Sequence, residues 1–175
     1  MYTVGHMPTS SSKKPAPVVL STEASLRAAP IRHVAIATWI LSIVTLIILS
    51  ALCQFLFPEG VVDQEKLKKD FIAGISLAIP MIPVFVWLFK RLEDKMKKDP
   101  TLAKEPLFKK RARFHFICAV CLTLFSVFIV CYELLSFLFL NSADVAVKDV
   151  ILNPLIGLMF FAIALFFKRY RKMGE

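Results

Sequence analysis

Glycine is scarce in this chain, with five residues among 175. The sequence contains no Walker loop, nucleophile elbow, HExxH segment or dinucleotide-binding glycine pattern, each of which would position phosphates or catalytic groups. Residue types that act in catalysis are also sparse between the hydrophobic segments. These absences argue against an enzyme, so we expect no catalytic residues and no cofactor.

Cysteine and histidine are also few, and their positions argue against a disulfide framework, a metal site or a haem. The CAVC segment at residues 118–121 has no second pair of ligands, whereas a zinc site needs about four. None of the three histidines lies deep enough in a hydrophobic segment to pair with another as haem ligands. Every cysteine falls in a hydrophobic segment, where reduced thiols are expected: Cys53, Cys118, Cys121 and Cys131.

Hydrophobic residues, by contrast, make up 57% of the chain, and the mean hydropathy is +0.67. The excess is concentrated in four continuous segments that predict helices, because transmembrane β-strands would alternate in polarity. A helix needs roughly 17–25 apolar residues to cross a bilayer, and each segment fits that range. The predicted helices cover residues 34–57, 71–89, 116–140 and 150–167.

The basic residues alternate in density along the chain, which carries a net charge of +9. Four Lys and Arg precede the first segment, ten lie in residues 90–113, and four follow the last segment. The connections 58–70 and 141–149 hold only three and one, outnumbered by acidic residues. Cytoplasmic loops of membrane proteins are enriched in Lys and Arg. The pattern therefore predicts that both termini and the middle loop face the cytoplasm.

Together these patterns predict an all-α integral membrane four-helix bundle in the cell inner membrane. Residues 1–31, rich in Ser, Pro and Ala, are expected to form a flexible cytoplasmic tail. Residues 32–175 would form the transmembrane domain, with a basic cytoplasmic loop between helices two and three. Pro80 and Pro83 are expected to bend the second helix near mid-membrane.

Glu133 is the one acidic residue inside a predicted span, where a carboxylate is costly and therefore a candidate functional group. Helical spacing places Ser126 and Ser136 on its face, and Asn153 lies at a similar depth on helix four. Three interpretations remain open: a structural hydrogen bond between helices, proton or substrate handling, and contact with a partner subunit. Further candidate partners of the carboxyl are Tyr132 and Gln54.

The segment 90–113 carries a net charge of +6 beside the membrane. Basic clusters at this position attract anionic headgroups, with each charge contributing on the order of 1 kcal/mol. A cytoplasmic partner is the alternative, and nucleic acid is not expected. The residues predicted to contact anionic lipid are Lys90, Arg91, Lys95, Lys97, Lys98, Lys109, Lys110, Arg111 and Arg113.

Four stretches give the chain a resemblance to a known family. They are IPVFVWLFKRLEDKMKKDP at the end of helix two, FKKRARF before helix three, the Tyr132-Glu133 pair, and the closing FFKRYRK. From about residue 32 to residue 172 the chain resembles a bacterial family of four-helix membrane domains whose function is not established. The resemblance implies a four-helix fold and carries no implication for chemistry.

Two functions are compatible with these features. The first is a non-catalytic accessory or structural component that packs beside a larger membrane complex. The expected partners are anionic lipid headgroups and either a larger membrane complex or a second copy of the chain. The second is a small oligomeric transporter or channel built around Glu133 and the bend at Pro80 and Pro83.

Overall fold

The computed structural model describes residues 26–58, 63–140 and 147–173, and these residues are helical apart from short connections. Each of the four α-helices is long and apolar enough to cross a membrane. The prediction of an all-helical fold with four helices able to span a membrane is therefore confirmed. The elements are α1 (Ala29–Leu56), α2 (Gln64–Lys98), a 3-10 helix (Pro100–Lys104), α3 (Pro106–Leu140) and α4 (Val147–Lys172).

The middle helices extend well beyond their hydrophobic segments. α2 begins at Gln64, seven residues before the predicted span, because the Asp63 carboxylate accepts hydrogen bonds from the backbone N–H groups of Glu65 and Lys66. Its last turn carries three lysines, which interact favourably with the negative end of the helix dipole. α2 and α3 therefore each run for 35 residues, more than a bilayer core of about 30 Å requires.

The predicted basic loop is consequently short. Only residues 99–105 separate α2 from α3, and Pro100 and Pro106 each begin a new helical element. Asp99 organises this turn by accepting hydrogen bonds from the hydroxyl and the backbone N–H of Thr101. The Thr101 hydroxyl holds the pKa of Asp99 below its usual value. The hydrogen bond between Thr101 and the ionised Asp99 therefore stabilises the fold above the usual carboxyl pKa. Its contribution is lost as the pH falls through the lowered pKa of Asp99.

The predicted tail 1–31 is wrong in its last residues. Helix α1 begins at Ala29, and Ala28 and Ile31 are completely buried. Pro30 suits the first turn of a helix, where no backbone donor is required. The Arg111 guanidinium donates a 2.7 Å hydrogen bond to the Ala28 carbonyl oxygen, which fixes the start of α1 against α3. Residues 1–25 lie outside the described residues.

The helices pack as two hairpins, α1 with α2 and α3 with α4. Small side chains line α1, and the hydroxyls of Thr38 and Ser42 are buried and donate to backbone carbonyls of their own helix. On α2, Gly74 is buried against α1, where an added Cβ would lie 2.7 Å from Ile48 Cγ1. A small residue at this position therefore lets the two backbones approach closely.

The two hairpins join at the basic end of the molecule. Phe166 of α4 contacts Phe85 and Phe89 of α2, with ring centroids 6.4 and 5.9 Å apart. Arg169 forms a 3.6 Å ion pair with Glu93 at the same end. The completely buried side chains concentrate here, and they form the core of the bundle.

We expect Gly74→Leu to weaken the α1–α2 hairpin, because the new side chain would collide with Ile48. Overpacking of this kind destabilises by about 1–3 kcal/mol. Thermal unfolding in detergent should show a lower midpoint for Gly74→Leu. The neighbouring Ala73 is exposed, so Ala73→Leu is the matched control and should unfold like the parent. Equal midpoints for both variants would contradict the close approach at Gly74.

Candidate functional site

The candidate site is a polar cluster between α3 and α4. The Asn153 side-chain amide donates a 2.7 Å hydrogen bond to Glu133 Oε1. The Ser126 hydroxyl donates a second 2.7 Å bond to the Asn153 backbone carbonyl oxygen. Asn153 is thus held from both ends by residues of α3. Glu133 lies about 10 Å from the end of α3 at 1.5 Å per residue, within the hydrocarbon region of a spanning helix.

Helical spacing explains why these residues meet. Ser126 and Glu133 are seven residues apart, nearly two turns, so both face α4. On α4, Gly157 lies one turn after Asn153, and a Cβ added there would be 3.1 Å from the Ser126 hydroxyl oxygen. The absent side chain at Gly157 leaves room for the hydroxyl to reach the Asn153 carbonyl. The site therefore depends on one glycine as well as on its three polar residues.

The second carboxyl oxygen of Glu133 is buried and has no hydrogen-bond partner within residues 26–58, 63–140 and 147–173. A carboxyl group accepts hydrogen bonds in either state and can also donate one when protonated. The cluster can therefore link two helices, and it can also hold one proton at Glu133.

Other residues that the sequence associated with Glu133 lie apart from its hydrogen bonds. Ser136 is half-buried, but no hydrogen bond joins it to the cluster in the described part of the chain. Tyr132 points outward and is exposed. Gln54 belongs to the other hairpin, where it lines a cleft of about 590 Å³ between α1 and α2. The assignment of Glu133, Asn153, Ser126 and Ser136 as a binding site stays a prediction.

A second polar contact, between Trp39 and His115, joins α1 to α3 and was not predicted from the sequence. The Trp39 indole N–H donates a 3.1 Å hydrogen bond to His115 Nδ1 and so links α1 to α3. The Phe167 ring of α4 packs against the same imidazole, with ring centroids 5.2 Å apart. The separation of 76 residues between Trp39 and His115 leaves no local sequence signal for the pair.

The residues predicted to contact anionic lipid differ in their surroundings. Arg111 is half-buried and binds the Ala28 carbonyl, so part of its hydrogen-bonding capacity is used inside the fold. Arg91 lies over the Trp87 ring, with its guanidinium carbon 5.2 Å from the ring centroid. Lys109 is half-buried. The remaining six are exposed, as lipid contact requires: Lys90, Lys95, Lys97, Lys98, Lys110 and Arg113.

Among the residues that the structure describes, no group of three or more His, Cys, Asp or Glu side chains is arranged to hold a metal ion. Comparisons with protein-family models, curated proteins and solved structures find no match to this chain. The resemblance to the bacterial four-helix family therefore stays a prediction.

We expect Glu133→Gln to retain the stability of the parent, because glutamine can still accept from the Asn153 amide. Glu133→Leu removes the acceptor and leaves that amide unpaired, which should destabilise by about 0.6–2 kcal/mol. Thermal unfolding of both variants in the same detergent measures the difference. Growth of a deletion strain carrying each variant gives the second measurement. A stable Gln variant that fails to support growth would show that the proton, and not the hydrogen bond, is required.

Proposed function

We propose that this chain is a non-catalytic integral membrane protein that packs beside a larger membrane complex as an accessory component. The observation that carries the proposal is the face of α2 that points away from α1. Ser76, Pro80 and Pro83 all lie on this face and are exposed. At about 100° per residue they stand roughly opposite Gly74, which packs against α1.

The two prolines change what this face presents to the membrane. Each lacks the backbone N–H that would bond the carbonyl four residues earlier, so the carbonyls of Ser76 and Ile79 lose their helical donors. A lipid chain offers no replacement, and an unsatisfied backbone group in hydrocarbon costs several kcal/mol. A neighbouring helix with hydroxyl or amide side chains does offer one. The face therefore favours a protein neighbour over lipid.

The extent of burial supports the same conclusion. In the apolar stretch of α2, 6% of residues are buried, against 33% in α1, 11% in α3 and 28% in α4. α2 thus contributes little of its own surface to the bundle. A helix that is attached along one side and exposed along the other is suited to lie between its own bundle and a second protein.

The transporter alternative draws support from the buried second oxygen of Glu133, which has no hydrogen-bond partner in the described part of the chain. The two features on which a transporter would depend, Glu133 and the prolines of α2, belong to different hairpins, however. Glu133 faces α4 from α3, whereas Pro80 and Pro83 lie on the outward face of α2. A transport path would require the carboxyl of Glu133 and the two prolines of α2 to line one space, so this separation favours the accessory function.

The orientation that accompanies the proposal has both termini in the cytoplasm of a cell inner membrane. The support is the distribution of Lys and Arg, which favours the cytoplasmic side for residues 90–113. In this orientation the basic ends of all four helices meet the anionic headgroups of the inner leaflet. The bilayer and a membrane complex are then the partners.

Reporter fusions after Gln64, Thr101, Asp144 and the C-terminus test this orientation. We expect the four reporters to lie outside, inside, outside and inside, because each pair of neighbouring sites is separated by one spanning helix. Enzymatic reporters that are active on only one side of the membrane provide the readout. The reverse order would contradict the orientation while leaving the four-span fold intact.

Purification in mild detergent tests the partner. A stoichiometric membrane protein should accompany the parent chain, and Ser76→Phe should reduce its yield at least about fivefold, corresponding to on the order of 1 kcal/mol for one interhelical contact. Val127→Phe is the control, because Val127 is exposed on α3 and should leave the yield unchanged. A chain that purifies only as a homo-oligomer would instead support the transporter alternative.

A further inference from the structure

A basic cleft lies where α4 ends beside the start of α3. Its volume is about 440 Å³, and its lining consists of Lys109, Lys110 and Arg113 from α3 and Arg171 from α4. All four side chains are cationic, and within residues 26–58, 63–140 and 147–173 no acidic side chain lines the cleft. Clefts lined by one sign of charge concentrate ions of the opposite sign. The cleft is therefore suited to an anion.

The two arginines define which anions fit. Guanidinium groups bind phosphate through two parallel hydrogen bonds, whereas lysines act as compact positive charges. The Arg171 guanidinium carbon is held 4.9 Å from the centroid of the Phe116 ring, which restricts its position at the wall of the cleft. An arginine so placed, with three further cations around the same space, matches the chemistry of a phosphate group.

An apolar surface continues from the cleft along α3. Phe114 and Ile117 are exposed directly beyond Lys110 and Arg113, at spacings that keep them on the same side of the helix. The surface continues along the span through Cys121, Leu124 and Phe128, which are also exposed. A cationic cleft above an apolar strip fits a molecule with a phosphate head and a hydrocarbon chain.

We infer that the cleft binds the phosphodiester headgroup of an anionic phospholipid, with an acyl chain lying along the apolar strip of α3. Basic pockets between transmembrane helices on the cytoplasmic side bind such headgroups in other proteins. The inference rests on the proposed membrane insertion. It assigns one discrete binding site in place of a general attraction between anionic headgroups and all the basic residues at this end. It assigns Arg171, which the sequence analysis did not include, to lipid binding.

The test uses the full chain, purified in a neutral detergent and freed of lipid. Its thermal unfolding is followed while phosphatidylglycerol, phosphatidylcholine or inorganic phosphate is added. We expect a saturable rise in the unfolding midpoint with phosphatidylglycerol alone. A rise of equal size with inorganic phosphate would overturn the lipid assignment, and no rise with phosphatidylglycerol would overturn the site. Neither result depends on which side of the membrane the cleft faces, so the reporter fusions test the orientation separately.

A pair of double variants distinguishes a discrete site from general attraction. Lys110→Gln with Arg113→Gln removes two cations of the cleft, and Lys104→Gln with Lys172→Gln removes two exposed cations at the same end outside it. The first variant should need at least about tenfold more phosphatidylglycerol for half of the rise, given the contribution of each charge. The second should behave like the parent. Equal effects of both variants would show diffuse attraction and overturn the inference.

Mass spectrometry of the parent chain under non-denaturing conditions provides a measurement that needs no variant. One phosphatidylglycerol should remain bound per chain in preference to phosphatidylcholine. A distribution of bound lipids that shows no preference between the two would overturn the inference even if the variants fail to fold.

Discussion

The packing of aromatic rings from α4 at the basic end holds the four helices together. Phe166 contacts α2, and Phe167 and Tyr170 contact α3 through His115 and Phe108. Ring pairs of this kind contribute about 0.5–1.5 kcal/mol each beyond the apolar area that they bury. Tyr170, Phe108 and Phe167 are also the largest completely buried side chains in the described part of the chain. Through Phe166 this cluster joins the α3–α4 hairpin to α2, and the Trp39–His115 hydrogen bond joins the same hairpin to α1.

The two hairpins differ in what they present to their surroundings. In the α3–α4 hairpin the polar groups lie between the two helices, where Asn153 forms hydrogen bonds with Glu133 and Ser126. The α1–α2 hairpin instead leaves Pro80 and Pro83 on an outward face. Hydrocarbon penalises exposed polar backbone far more than water does. The position of each polar group relative to lipid therefore indicates its role more directly than its residue type does.

Hydropathy allowed the sequence to predict the four spans, and helix geometry placed Glu133 and Asn153 at a similar depth. Both predictions depend only on position within a single helix. The pairing of Trp39 with His115 depends on how distant helices are arranged, and no local pattern encodes it. The start of α1 was misassigned because Ala28 and Pro30 have the composition of a linker. Their burial results from contacts with residues far along the chain. Arg171 lies beside Lys109 for the same reason.

The contacts described between the two hairpins are hydrogen bonds, ion pairs and ring contacts, and they lie at or near the basic end. On α1, the contact furthest from that end is made by Trp39. From Trp39 to the far end of α1 at Leu56 the helix extends about 25 Å further at 1.5 Å per residue. Lateral pressure at that end of the helices therefore acts on the hairpins through a lever arm of about 25 Å. Its pivot is the small aromatic core at the basic end, so a modest force at the far ends exerts a large torque on that core.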